Sequence, residues 1–325
     1  MGIILLYHRV ADLEFDPQLL AVSKENFKKQ ITYLKSNYNI VSLKDIINTE
    51  KDWLGGKKNI AITFDDGYSD NLINAKPLLE EFSAFATFFI TVNNAIGQKP
   101  FWWDRLASIT FADKELPKRL NIKISKNEYN WHNKNSFFLS RVMRKEWNVL
   151  KNIDLNNREK LYLDLHSILK KEPQKEIDRV LYNLLEWSES KEKINKRDMP
   201  LDRNSIKRIA DSRLIEIGSH GLNHTSLNCV PAESQNKEVL ESKKFLEEII
   251  QVPIESFSYC FGGVNDIPNR VKDFLKESGY KRACANFKSI AGCTTDPFML
   301  PRFIVRNWNL TDFKKNLKGF LEYKN

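Results

Sequence analysis

Seven short apolar runs alternate with amphipathic segments along this chain of 325 residues, and this alternation constrains the fold more than any other feature. The strand-like runs are Ile3–Tyr7, Ile60–Phe64, Ala86–Val92, Leu214–Ile217, Ser256–Phe261, Arg282–Ala285 and Phe303–Val305. Helical patterns lie between several of them, at Lys24–Ser36, Asn71–Phe82, Glu233–Ile250 and Pro268–Ser278. Strands that alternate with helices predict a mostly parallel sheet, whose functional groups collect at the carboxyl ends of the strands.

Two adjacent carboxylates, Asp65 and Asp66, directly follow the buried-strand pattern of Ile60–Phe64 and precede Gly67. Like charges at neighbouring positions raise each other's cost of ionisation, so such a pair at a strand end indicates a function. Successive strand residues point in opposite directions, and one carboxylate could hold a cation while the other takes up a proton. A polar turn that only ends the strand is the alternative interpretation.

A pair of histidines follows another strand-like run. His220 and His224 come shortly after Leu214–Ile217, and the whole chain has only five histidines. Neutral imidazole is a common ligand of borderline metals such as zinc, and a four-residue offset brings both rings to one side. Surface or capping histidines are the alternative. Together with the carboxylates, the pair favours a site of two His and one Asp ligand, with an open position for water and a second carboxylate as general base.

These segments resemble the polysaccharide deacetylases, carbohydrate esterase family 4. The family's first motif, T-F-D-D-G, is present as Thr63–Gly67, and its H-x-x-x-H motif is present as His220 and His224. The resemblance implies that Asp65 is the catalytic base, and that Asp66, His220 and His224 bind a divalent metal. It also implies an α/β fold, a distorted (β/α) barrel of about seven strands, with which the number of strand-like runs is compatible.

The family's third motif, an aromatic residue or Arg followed by Pro, an aromatic residue and Gly, corresponds here to Phe257–Gly262. Cys260 stands where proline is usual, and it also fits the pattern of a small buried apolar residue. By the resemblance, the backbone N–H of Phe261 donates to the developing oxyanion. That role needs a backbone N–H and no particular side chain, so the chemistry tolerates the departure.

The first strand ends in a histidine, His8. The segment Gly2–Val10 resembles the opening of family members whose motif order is circularly permuted, in which the general-acid histidine follows the first strand. No histidine follows His224, and His132 and His166 lie in polar, helix-like surroundings, so His8 is the candidate general acid. A histidine that satisfies a strand-end hydrogen bond is the alternative.

Arg302 lies in a late strand-like segment, Met299–Val305. The segment resembles a family strand whose Arg pairs with the base aspartate. Such a pair would keep Asp65 ionised and oriented. An Arg at the start of a strand also occurs for other reasons.

The region from about Phe101 to Lys207 interrupts the alternation. Its helical periodicity, over Glu159–Leu169 and Ile177–Trp187, predicts a largely helical insertion of about residues 101–207 within a single catalytic domain of residues 1–325. The aromatic residues Phe101–Trp103 could stack on a sugar ring at the mouth of the barrel, or pack the insertion against it.

Charge and cysteine content limit which binding partners and which cellular compartment are expected. The net charge is +9, but the lysines are interleaved with acids and no Arg-rich tract or nucleic-acid-binding motif occurs. A solvated lysine-rich surface is therefore favoured over nucleic acid, with a modest preference for an anionic membrane surface or a pyrophosphate-bearing substrate. Four cysteines without C-x-x-C spacing, an opening unlike a signal peptide, and no run of about 20 apolar residues favour a cytoplasmic protein.

The resemblance implies metal-dependent hydrolysis of an N-acyl group, first of all the N-acetyl group of an amino sugar. Zinc suits the ligand set, and cobalt, nickel or iron would fit the same ligands. The metal would polarise the acetamide carbonyl and activate a water, Asp65 would take the water's proton, and His8 would protonate the departing amine.

A cytoplasmic location favours a nucleotide-linked or lipid-linked amino-sugar precursor of a surface glycan over a mature polysaccharide. Two alternatives stay open: a deformylase or amidase that acts on a related N-acyl substrate, and an inactive carbohydrate-binding relative. A nucleic-acid-binding protein is the least favoured.

Overall fold

The structure of the protein, a computed structural model, describes residues 2–48, 53–54, 57–132, 147–151, 157–190 and 196–323. The chain divides into two compact units. Unit 1 consists of Met1–Asp12, Leu20–Lys99 and Pro200–Asn325, and unit 2 consists of Leu13–Leu19 and Pro100–Met199.

The strands are short, and all but two belong to unit 1. They are β1 (Gly2–Tyr7), β2 (Arg9–Val10), β3 (Ala21–Val22), β4 (Asn39–Ile40), β5 (Trp53–Leu54), β6 (Lys57–Phe64), β7 (Ala86–Ile90), β8 (Arg119–Ile124), β9 (Asn127–His132), β10 (Ile215–Ser219), β11 (Ser256–Ser258), β12 (Arg282–Cys284) and β13 (Phe303–Ile304). Strands β8 and β9 form a hairpin in unit 2.

The α-helices are α1 (Lys24–Asn37), α2 (Leu43–Asn48), α3 (Lys76–Glu81), α4 (Val92–Gly97), α5 (Trp102–Thr110), α6 (Asn157–Leu169), α7 (Gln174–Ser188), α8 (Arg203–Ala210), α9 (Ala232–Ile250), α10 (Asn269–Glu277) and α11 (Leu310–Leu321). A π-helical turn, Asn71–Ala75, leads into α3. Side chains of Ser23, Asp202 and Asn309 accept hydrogen bonds from backbone N–H groups of the first turns of α1, α8 and α11, which satisfies donors that a helix start leaves open. No described helix is both long and apolar enough for a membrane span.

Seven strands of unit 1 form one continuous path in the order β12-β11-β10-β7-β6-β1-β13. Every pairing along this path is parallel. Strand β4 pairs with the first half of β6 in parallel, and β5 pairs with it in antiparallel fashion. The seven strands coincide with the seven runs found in the sequence, so the predicted α/β fold, a distorted (β/α) barrel, is confirmed.

Both faces of these strands are buried, which explains why the sequence shows continuous apolar runs instead of alternation. Successive side chains point to opposite faces of the sheet. Ile3 packs in a large core together with Phe27 of α1. Ile4 packs in a second core with Ala61 and Phe89. The first core thus includes residues of α1, and the second core, on the opposite face of the sheet, includes Leu43 and Ile46 of α2.

The register of the sheet brings the carboxyl ends of the strands to one edge. The last residue of β1 pairs with the last residue of β6, and the last residue of β10 pairs with the last residue of β7. His8, Asp65 and His220 are the next residues along the chain. The pairing of β1 with β6 therefore brings His8 and Asp65, which are 57 positions apart in the chain, to the same edge of the sheet.

Unit 2 combines helices with a hairpin. Trp102 of α5 packs on His166 of α6, with ring centroids 4.8 Å apart, and Arg105 of α5 pairs with Asp178 of α7 at 3.2 Å. The insertion is largely helical, as predicted, but it also contains the β8–β9 hairpin, which was not predicted. Unit 2 also differs from the predicted range of 101–207, because it includes Leu13–Leu19 and ends at Met199.

We expect Phe64→Ala to lower the free energy of unfolding by about 3–5 kcal/mol, because it leaves a cavity in the core. The Phe64 ring is fully buried and stacks on Phe88, with centroids 4.5 Å apart, and on Tyr7 at 5.3 Å. Denaturant unfolding measures the loss. Leu240→Ala on the exposed face of α9 is the control and should change stability by at most about 0.5 kcal/mol. Equal losses for both variants would contradict this description of the core.

Candidate active site

Three side chains from two distant segments converge at the carboxyl edge of the sheet. The Nε2 atoms of His220 and His224 lie 3.5 and 3.3 Å from Oδ1 of Asp66. The two rings stand nearly perpendicular, with centroids 4.9 Å apart. All three side chains are buried, and this Asp66 oxygen has no hydrogen-bond partner among the described residues. A buried carboxylate oxygen facing two imidazole nitrogens is a donor set suited to a divalent cation.

The orientation of His220 is fixed by the backbone of β11. Its Nδ1 lies 2.8 Å from the carbonyl oxygen of Ser258. A carbonyl can only accept, so Nδ1 carries the proton and donates, and Nε2 of the neutral ring keeps its lone pair toward Asp66. This arrangement is typical of a histidine that binds a metal through Nε2.

Asp65 is held by a guanidinium from the other end of the chain. Arg302 Nη1 lies 2.7 Å from Asp65 Oδ1, and Nη2 lies 2.7 Å from Oδ2. The Ser258 hydroxyl links the two groups, since it accepts from Arg302 Nη2 at 2.9 Å and donates to Asp65 Oδ2 at 3.1 Å. Oδ2 also lies 3.9 Å from Nε2 of His220, so the oriented carboxylate stands beside the convergent ligands.

The charges of this cluster shift the pKa values of its members. Burial alone would raise the pKa of Asp65, but the Arg302 guanidinium outweighs it and holds this pKa below its usual range. Burial opposes ionisation of Asp66 as well, yet the two neighbouring imidazoles keep its pKa low. The pKa of His224 is lowered by burial, whereas the carboxylates overcome burial at His220 and raise its pKa. Both carboxylates are therefore ionised at neutral pH.

His8 lies at the same edge of the sheet. Burial lowers the pKa of its imidazole, and the charges of Asp66 and Asp65 act on it in the opposite direction. Its backbone is anchored by the segment that follows the aspartate pair, because Asn71 Nδ2 donates to the His8 carbonyl at 2.9 Å. Asp70 accepts from the Val10 N–H at 3.0 Å and from Arg9 Nε at 2.9 Å.

Three residues of the cluster have left-handed backbone conformations. The φ angles are +72° at Asp66, +54° at His224 and +61° at Phe261. Non-glycine residues seldom adopt such angles, and those that do concentrate at functional sites. At Asp66 this conformation bends the chain away from the strand, so that both aspartates face His220 instead of pointing to opposite sides. The strand-based expectation of opposite directions was therefore wrong.

Phe261 and Cys260 line the same cluster. The Phe261 ring packs edge-on against the His224 ring at 4.7 Å, and Asn286 Nδ2 donates to the Phe261 carbonyl at 3.1 Å. Cys260 Sγ lies within 4.8 Å of a ligand nitrogen of both His220 and His224. Its thiol donates to the His220 carbonyl at 3.1 Å, and burial raises its pKa well above the usual value.

The aromatic residues at the start of the insertion are not available to a sugar. Phe101, Trp102 and Trp103 are all buried. Phe101 stacks on Trp103 with centroids 4.7 Å apart, and Trp102 packs on His166. They serve as core residues of unit 2, so the stacking interpretation was wrong.

Some site residues were missed in the sequence because they carry no motif. Ser258 contacts Asp65 through its hydroxyl and His220 through its carbonyl, yet a serine in a strand gives no signal. Asp70 and Asn71 follow the aspartate pair closely, and the clustering of polar residues ahead of an amphipathic helix was the one available hint.

The family profile described as "Polysaccharide deacetylase" matches residues 55–117 and 166–283, together more than half of the chain. Both matched stretches contain site residues, the aspartate pair in the first and the histidine pair in the second. The chain therefore belongs to the polysaccharide deacetylase family, whose members deacetylate carbohydrates.

Individual proteins are also similar to this chain. A Bacillus subtilis (strain 168) protein named "Putative polysaccharide deacetylase YxkH" is 33% identical over 98 residues, which cover 30% of this chain and 33% of that protein. The Streptococcus pyogenes deacetylase PplD, solved in complex with acetate, is 14% identical with a TM-score of 0.58 over 97% of both chains. The de-N-acetylase from Aggregatibacter actinomycetemcomitans is 15% identical with a TM-score of 0.54, over 97% of this chain and 99% of that one. At these identities the two solved structures show the shared fold.

We expect Arg302→Gln to lower the free energy of unfolding by about 3–5 kcal/mol, because it leaves the buried Asp65 carboxylate without its counter-charge. Adding Asp65→Asn should recover part of the loss, since the unpaired charge is then gone. Denaturant unfolding of Arg302→Gln, of Asp65→Asn and of the double variant measures this coupling. Arg203→Gln, which breaks the exposed ion pair with Glu248, should cost at most about 1 kcal/mol. A double variant as unstable as the sum of its single variants would contradict the coupling.

Proposed function

We propose that the chain is a metal-dependent hydrolase that removes an N-acetyl group from an amino sugar. The observation that carries this proposal is the convergence of His220 and His224 on Asp66, with Asp65 held beside them by Arg302. Membership of the deacetylase family supplies the reaction class. The neighbours described as a deacetylase in complex with acetate and as a de-N-acetylase support the acetyl group as the one removed.

The ligand distances fit a zinc ion. Bonds of about 2.0–2.2 Å to a tetrahedral zinc ion separate neighbouring ligand atoms by about 3.3–3.6 Å. The distances of 3.3 and 3.5 Å between Asp66 Oδ1 and the two Nε2 atoms lie in this range. We therefore propose Asp66, His220 and His224 as the protein ligands and zinc as the metal, with cobalt, nickel and iron as ions that suit the same donors.

Asp66 is a better third ligand than Cys260. The Asp66 carboxylate is ionised and its Oδ1 has no partner among the described residues. The Cys260 thiol is protonated and already donates to a carbonyl. Binding through Cys260 would first have to remove its proton in a buried environment, whereas Asp66 is ready to bind.

We propose the roles of the remaining residues from the family resemblance and from their place at the carboxyl edge of the sheet. A bound divalent metal would supply polarisation of the acyl carbonyl and a water of lowered pKa. Asp65, ionised and oriented by Arg302, takes the proton of the attacking water. The backbone N–H of Phe261 donates to the oxyanion that develops on the acyl carbonyl oxygen. His8 donates a proton to the departing amine nitrogen.

Two observations bear on the substrate class. The four cysteines are free thiols, which suits a reducing compartment such as the cytoplasm. There the available acetamido sugars would be nucleotide-linked or lipid-linked precursors of a surface glycan, and the charge of +9 suits their pyrophosphate groups.

We expect Asp66→Asn and His224→Ala to abolish metal binding, because each removes one of the three ligands. Cys260→Ser should retain the metal, and so should the control His132→Ala, which removes an exposed histidine of unit 2. Metal content after dialysis against metal-free buffer measures the outcome. Loss of the metal in Cys260→Ser together with its retention in Asp66→Asn would show that the thiol, and not the carboxylate, is the ligand.

We expect acetate release from a panel of nucleotide- and lipid-linked acetamido sugars, and its loss on addition of a chelator. Asp65→Asn and His8→Gln should each lower kcat about 10²–10⁴-fold and leave the metal bound, because each removes one proton-transfer group. Formate release is assayed in parallel on formamido sugars. Release of formate without release of acetate would show that the enzyme removes a formyl group and not an acetyl group. A near-normal kcat for Asp65→Asn would refute its role as base.

A further inference from the structure

A buried glutamate from a helix contacts the loop that carries both candidate metal ligands. Glu238 lies on α9 and is 5% exposed. Its Oε2 accepts from the Leu222 N–H at 2.7 Å and from the Asn223 N–H at 3.0 Å, and its Oε1 accepts from Asn223 Nδ2 at 2.7 Å. All three donors lie between His220 and His224. One carboxylate thus binds both residues at the centre of the loop, Leu222 and Asn223.

The start of α4 holds the loop from a second direction. The Val92 N–H donates to the Gly221 carbonyl at 3.1 Å, and the Asn93 N–H donates to the Leu222 carbonyl at 2.8 Å. The Asn93 side chain also donates to Asn223 Oδ1 at 2.7 Å. Polar groups of residues 221–223 are therefore held from two directions, directly before His224, which has a φ of +54°.

The approach of Glu238 explains a glycine in the loop. A Cβ on Gly221 would lie 2.9 Å from Glu238 Oε2, and Gly221 has a φ of +75°. Only glycine combines this backbone conformation with such a close carboxylate. A side chain at position 221 would therefore conflict with the Glu238 carboxylate in its present position.

We propose that Glu238 is a positioning residue for the metal site: its carboxylate fixes residues 221–223 so that the rings of His220 and His224 face the same point. This inference rests on the proposed function, because it concerns the proposed ligands. Replacing a group that orients metal ligands without binding the metal itself typically lowers metal affinity about 10–100-fold.

The chemistry of the contact requires a carboxylate. All three partners of Glu238 are donors, so a side chain with acceptor oxygens alone can serve all of them. In Glu238→Gln the amide NH₂ would face one of these donors. Turning the Asn223 amide to relieve this would break the bond that its Oδ1 accepts from Asn93 Nδ2, unless the exposed Asn93 amide turned as well.

The test measures the affinity for Zn²⁺ by competition with a chromophoric chelator, on the full chain after metal removal. We expect Glu238→Gln to weaken Zn²⁺ binding about 10–100-fold and Asn223→Ala to weaken it less, since the latter removes only one of the three contacts. Glu241→Gln, on the exposed face of the same helix, is the matched control and should bind as the wild type does. If Glu238→Gln does not fold, the Zn²⁺ affinity of Asn223→Ala is compared with that of the wild type instead.

The outcomes separate this inference from the proposal on which it rests. Wild type and Glu238→Gln with equal Zn²⁺ affinity would overturn the positioning role, even if the variant unfolds at a lower temperature. Wild type that binds no Zn²⁺ would overturn the proposed metal site and the inference with it. Weakened binding in Glu238→Gln at unchanged affinity of Glu241→Gln would support the role.

Discussion

Two neighbouring carboxylates buried at the end of one strand set the main physical constraint on this structure. Buried anions are tolerated only when positive charge or hydrogen-bond donors meet them. Arg302 meets Asp65 with two hydrogen bonds of 2.7 Å. Asp66 lies beside two imidazoles, and its Oδ1 has no hydrogen-bond partner among the described residues. The first carboxylate is thereby oriented, and the second is left with the capacity to bind a cation.

The site depends on backbone conformations that are costly in isolation. Asp66, His224 and Phe261 lie in the left-handed region, at a cost on the order of 1–3 kcal/mol each. Hydrogen bonds from neighbouring elements maintain them: Glu238 holds the loop before His224, and Asn286 holds the Phe261 carbonyl. Contacts with the rest of the fold thus stabilise backbone conformations that these segments would not adopt in isolation.

Much of the fold could be predicted because its signals are local. Each strand of the parallel path is buried on both faces and so appears as an apolar run. The hairpin β8–β9 was missed although β8 alternates buried and exposed residues, as a half-buried strand does, because it lies within a polar, lysine-rich region that was interpreted as helical. The aromatic residues Phe101–Trp103 were open to two interpretations, since burial of a ring depends on contacts that the sequence does not list.

The sequence by itself determined which residue types stand at strand ends: an aspartate pair, a histidine pair four apart, and His8 after β1. Those positions depend on strand boundaries, which apolar patterning specifies locally. The family resemblance suggested the pair of Arg302 with Asp65, but only the tertiary structure decided its two-bond geometry, that Ser258 joins the two groups, and that both aspartates face His220. These contacts arise from sheet register and from left-handed backbone angles, and both are set by packing between segments far apart in the chain.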